Sequence, residues 1–99
     1  MGLYEIRIER AAEKSLTRRM RPDDARRIRA AIGALAEDPR PHPQSRELRG
    51  REGRRLRVGD YRVIYEVEEP HPDHPEPGER DPPQGLVTIL AVGHRQGIY

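Results

Sequence analysis

The 99-residue chain is expected to fold as a two-layer α+β domain in which an N-terminal strand and an antiparallel helical hairpin pack on a small, mainly antiparallel sheet. Three observations predict this β-α-α-β-β-β order. Residues 54–65 alternate around a Gly-Asp turn, as a tight β-hairpin does. Two apolar stripes at helical spacing lie between residues 9 and 35. Residues 86–92 form a short, β-branched apolar run suited to a central strand. Neither two short helices nor a thin sheet can bury its apolar side alone, so the helices must cover one face of the sheet. The other face, or part of it, stays open.

Taken in order, Tyr4, Ile6 and Ile8 share one side of a first strand. From residue 9 to residue 20 the period changes, with Ala12, Leu16 and Met20 four apart on one helical stripe. Pro22 suits the first turn of a second helix, and Asp23 and Asp24 there complement its dipole. Ala25, Ile28, Ile32 and Leu35 form its buried stripe, and Pro39 ends it. The break between the helices is short, which predicts an antiparallel pair. A stiff, proline-rich connector at residues 39–43 leads to a segment over 45–53 and then the hairpin. Residues 68–85 hold six prolines, six acids and no large apolar residue, and are expected to be a mobile loop. His71 and His74 lie within it. The surrounding prolines and glycine deny them the fixed geometry a metal site needs, so no metal is expected.

Composition narrows the function. The length bounds the chain to one domain, residues 1–99, and 33% hydrophobic content makes its core modest. There is no cysteine, which excludes disulfides, thiolate nucleophiles and cysteine-ligated metals and fits a cytoplasmic protein. No segment reads as a membrane span or a signal peptide. The net charge of +2 conceals −5 over residues 68–85 and +7 over the rest. Lys14 is the sole lysine; the other basic residues, apart from histidine, are arginines, whose forked guanidinium grips phosphate in a way lysine cannot. Such a domain favours nucleic acid or an acidic protein as partner.

The hairpin sharpens that expectation. A two-residue turn at Gly59-Asp60 sets Val58 against Tyr61, Arg57 against Arg62, Leu56 against Val63 and Arg55 against Ile64. Leu56, Val58, Tyr61, Val63 and Tyr65 then share a core face, and Arg55, Arg57, Arg62 and Ile64 share the other. Like charges placed directly opposite each other weaken a strand pair. The Arg57/Arg62 pair therefore suggests a face that exists to meet an anion.

Leu48-Arg49-Gly50, Arg55-x-Arg57, residues 59–65 and Val92-Gly93-His94-Arg95 ending in Tyr99 together resemble the RelE/ParE toxins of bacterial toxin–antitoxin pairs. The end of the second helix, Leu35-Ala36-Glu37-Asp38-Pro39, is similar too. The resemblance spans nearly the whole chain outside residues 68–85, and its closer branch is RelE. It implies a metal- and cofactor-free mRNA endonuclease that acts on the ribosome and is silenced by a cognate antitoxin. It also implies catalytic roles for Arg55, Arg57, Arg62, Arg95 and Tyr99; beside these, Arg49 and Arg54 are expected as RNA contacts. His94 falls where several relatives carry a histidine. The residues by themselves favour His94 as the proton carrier, because histidine titrates near neutrality, whereas the family favours Tyr99. This chain departs from the best-known RelE in having arginine, which cannot act as a base, at both Arg55 and Arg57, and in a shorter stretch between Arg95 and Tyr99. Two other expectations stand beside the nuclease. One is a ParE-like toxin that poisons DNA gyrase without cutting RNA. The other is a non-catalytic arginine-rich domain that binds nucleic acid.

Overall fold

The computed structural model describes residues 3–69 and 84–94. Strand β1 (Glu5–Ile8) is followed by helices α1 (Arg10–Arg18) and α2 (Pro22–Ala34). Four strands complete the fold: β2 (Ser45–Glu47), β3 (Arg54–Val58), β4 (Tyr61–Glu68) and β5 (Leu86–His94). They form one sheet in the order β1-β5-β4-β3-β2, with β1 parallel to β5 and every other pair antiparallel. The expected two-layer α+β architecture is present, with one strand more than the residues announced. That strand, β2, is three residues long and reads Ser-Arg-Glu, so it carries no apolar alternation to betray it.

Helix α1 stops at Arg18, short of the expected residue 20, and Arg19 leaves helical geometry at φ −117° and ψ 10°. Pro22 opens α2, and Asp23 and Asp24 occupy its first turn. Its last turn tightens, Leu35 N–H donating to the Ile32 carbonyl, before Pro39. Ala12, Leu16, Ala25, Ile28, Ile32 and Leu35 all lie in the core against Leu56, Val63, Tyr65, Val87, Ile89 and Val92. Met20, Val58 and Tyr61 pack on its margin. The helices are also tied at their surface, where Arg29 Nη2 lies 2.6 Å from Glu13 Oε1.

The hydrogen bond and charge of Arg29 hold the Glu13 carboxyl below its usual pKa. A carboxyl lowered in this way contributes stability above its unfolded pKa and loses it as the pH falls through the folded value. Both side chains are substantially exposed, so Glu13→Gln should cost about 0.2–1 kcal/mol at neutral pH. The difference from the unsubstituted protein should vanish in acid, which urea unfolding at a series of pH values will show.

The hairpin closes on Gly59, whose φ of +59° suits glycine, and its pairs are Val58–Tyr61, Arg57–Arg62, Leu56–Val63 and Arg55–Ile64, as expected. The β4–β5 register shifts once. Ile64 pairs with Ala91 and Tyr65 with Ile89, leaving Leu90 as the extra residue of a bulge.

A buried chain of hydroxyls fastens the β2 edge. Tyr65 Oη donates to the Pro39 carbonyl at 2.7 Å, and Arg54 Nε donates to Ser45 Oγ at 2.8 Å. Ser45 Oγ and Tyr65 Oη are in hydrogen-bond contact; with the tyrosine proton committed to Pro39, serine is the donor. Most of the loop expected at 68–85 lies outside the described residues, with Glu68 closing β4 and Leu86 opening β5. Among the described residues, no helix is long and apolar enough to cross a membrane.

Candidate nucleic-acid interface

The sheet face opposite the helices carries two rows of side chains that run across the strands. One row passes from Arg46 on β2 to Arg55 on β3, Ile64 on β4 and Ala91 on β5. The next passes from Arg57 to Arg62 and Gly93, with the Arg57 N–H bonded to the Gln44 carbonyl at the outer end. Arg46, Arg55, Arg57 and Arg62 line one cavity of about 150 Å³ together with Pro43 and Gln44. Arg55, Arg57 and Arg62 thus share a surface, as the hairpin register predicts. Arg46 joins them unannounced, because only the unrecognised β2 pairing sets it opposite Arg55.

Ion pairing distinguishes this face from helix α2. On the helices, Arg26, Arg27 and Arg29 are matched with Asp23, Asp24 and Glu13. Among the described residues, no carboxylate is paired with Arg46, Arg57 or Arg62. Among the described residues, Arg62 Nη1 donates only to the neighbouring Tyr61 carbonyl, at 3.1 Å. A cluster of guanidinium groups lacking counter-charge attracts an anion from solution. Arg49 lies on the β2–β3 loop, where it and Arg55 border a second, larger cavity.

Two of the expected site residues are elsewhere. Arg54 pairs with Tyr65 on the helix-covered side, where its guanidinium is spent on Ser45 and approaches Glu47 at 3.9 Å. Its guanidinium is thus engaged within the fold and does not share the open face. His94 pairs with Tyr61, and their rings meet edge to face at 5.7 Å. Tyr61 Oη in turn donates to Asp24 on α2 at 3.1 Å, and burial followed by that bond raises its pKa. The exposed imidazole therefore lies on the helix side of the sheet, across from the arginines. The bulge at Leu90 explains this: it reverses the in–out alternation of β5, so Val92 enters the core, the exposed His94 takes the same side beyond it, and Gly93 lies beside Arg62. Arg95 and Tyr99 lie outside the described residues, as do His71 and His74. Among the described residues, no three His, Asp or Glu side chains cluster as metal ligands.

Fold and face together define a small α+β domain with an open cationic sheet. Residues 6–99 match the model of the ParE toxin of type II toxin–antitoxin systems, parDE, and the chain belongs to that family. It is a type II toxin of the RelE/ParE superfamily, and its structural neighbours are RelE-like. A chain of the RelBE2 toxin–antitoxin complex from Mycobacterium tuberculosis superposes with a TM-score of 0.67 at 26% identity, over 96% of this chain and 94% of that one. An arginine double mutant of Escherichia coli RelE in the free state has the same fold, with a TM-score of 0.61 at 19% identity over 97% and 87% of the two chains. No curated protein sequence matches the chain.

Proposed function

We propose that this toxin is an endoribonuclease that cuts mRNA on the ribosome, in the cytoplasm, and that a cognate antitoxin silences it. The observation that carries the reading is the exposed face shared by Arg46, Arg55, Arg57 and Arg62, three of which have no carboxylate among the described residues to neutralise them. RNA contains its own nucleophile. The 2′-oxygen bonds to the adjacent phosphorus while the P–O5′ bond breaks, giving a 2′,3′-cyclic phosphate and a 5′-hydroxyl. The arginines hold the phosphate and stabilise the charge that grows on its non-bridging oxygens, commonly the largest contribution to such a reaction. Arg95 joins in stabilising this charge. None of these guanidinium groups gives up a proton near neutral pH. The phenolate of Tyr99 takes the 2′-hydroxyl proton, and O5′ takes a proton from water. No metal is required.

Sequencing of RNA 5′ ends after induction is expected to reveal new ends within translated codons. His94→Ala should cleave near the unsubstituted rate, whereas Tyr99→Phe should not. A short antitoxin reading frame is expected beside the gene.

A second reading is favoured by the family match itself, which names ParE, and by arginine at both Arg55 and Arg57. It makes the chain a protein-directed toxin that poisons DNA gyrase. DNA-damage signalling without new mRNA ends would decide for it. Salt-dependent RNA binding with no cleavage on translating ribosomes would instead leave a plain nucleic-acid-binding domain.

A further inference from the structure

We propose that the bulged part of the sheet holds one unstacked nucleobase of the RNA, seated on Ile64, Leu90 and Ala91 and rimmed by Arg46, Arg49 and Arg55. The proposal rests on the RNA reading above and adds where a base goes. These six residues line a cavity of about 580 Å³, within the range of small-ligand sites. Its apolar floor adjoins the arginine rows, and the bulge builds it. The extra residue Leu90 and its neighbour Ala91 both enter the lining beside Ile64, which is 5% exposed. Bulges near functional sites re-aim side chains in this way.

The smaller cavity that contains Arg57 and Arg62 shares Arg46 and Arg55 with this one. A phosphate in the smaller cavity therefore has a flat, apolar-faced seat adjoining it, with the two shared guanidinium groups between them. A nucleotide has that shape and charge: a planar base flanked by anions. Single-stranded RNA is commonly read by splaying a base out to pack on apolar side chains or guanidinium planes. An apolar side chain of a protein partner would fill the floor but bring no phosphate to the adjoining cavity.

The test uses the full chain and a fluorescent RNA trinucleotide whose riboses are 2′-O-methylated, so that it cannot be cut, together with three versions each lacking one base. Anisotropy at low salt should show one abasic position binding about tenfold more weakly, the size of one lost stacking contact. Leu90→Ser should bind the intact RNA as weakly as the unsubstituted chain binds that abasic RNA, and should no longer distinguish the two. Arg49→Ala, on a loop where the fold is not at stake, should lose part of the discrimination. Arg57→Ala should weaken both RNAs and keep their ratio. The proposal is overturned if every abasic RNA binds like the intact one, if none binds at all, or if Leu90→Ser keeps full discrimination. It is also overturned if Leu90→Ser abolishes antitoxin binding and leaves RNA affinity unchanged. The nuclease reading fails separately, by the absence of new mRNA ends, whatever the base discrimination proves to be.

Discussion

Arg62→Ala is expected to slow mRNA cleavage on translating ribosomes by about 10²–10³-fold, the usual loss when one preorganised group that stabilises developing charge is removed. The same substitution should not unfold the domain. Arg62 lies on the open face, its guanidinium donates to the adjoining Tyr61 carbonyl, and its cross-strand partner is another cation, Arg57. Relief of that like-charge pair should leave stability unchanged or raise it by about 0.2–1 kcal/mol. A mutation that damaged the core would instead lower activity and stability together. Arg57→Ala should behave in the same way, and Arg62→Lys should recover only part of the rate, because an ammonium keeps the charge and loses the fork. Single-turnover cleavage assays, read beside thermal unfolding, measure both quantities. If the folded Arg57→Ala and Arg62→Ala proteins remain fully toxic, the phosphate is not held on this face.

The largest effect on stability is expected at Tyr65. Its ring is completely buried beneath the helices, and its hydroxyl joins the chain that runs from Arg54 through Ser45 to the Pro39 carbonyl. Tyr65→Phe keeps the ring but leaves the Ser45 hydroxyl without its acceptor and the Pro39 carbonyl without its donor, at a cost of about 1–3 kcal/mol. Tyr65→Ala removes the ring as well and should cost about 3–5 kcal/mol. A domain of this size loses about 4–8 °C of melting temperature per kcal/mol, so the two variants separate clearly in a thermal scan. Because Ser45 precedes Arg46 on the three-residue edge strand, Tyr65→Phe should also loosen the β2 edge, seen as faster amide exchange at Arg46 and Glu47.

The arginine face was legible in the residues because everything that sets it is local. Gly59-Asp60 fixes the hairpin register, and strict alternation on both arms then decides which side chains share a side. The helical stripes were legible for the same reason, with Ala12, Leu16, Ile28 and Ile32 recurring at helical spacing and all of them buried. Arg46 was hidden because Ser45–Glu47 has no apolar pattern and becomes a strand only by pairing with β3 and by the Ser45–Tyr65 contact, twenty residues apart in sequence. Arg54 was misplaced although its parity pointed inward, because an arginine on a core-facing position is credible only once Ser45 and Glu47 are seen to receive it.

His94 shows the boundary most clearly. Counted from Val87 and Ile89 by simple alternation, it should stand with the arginines; the bulge at Leu90 reverses the count and turns it to Tyr61. The sequence by itself determined the α+β class, the helical pair, the hairpin register and the cationic side of that hairpin, since each follows from spacing within one element. Only the tertiary structure decided that Arg46 joins this side, that Arg54 and His94 leave it, and that an apolar seat opens beside Arg55. Those outcomes depend on how distant strands align, and a single unpaired residue in one strand is enough to exchange the two faces beyond it.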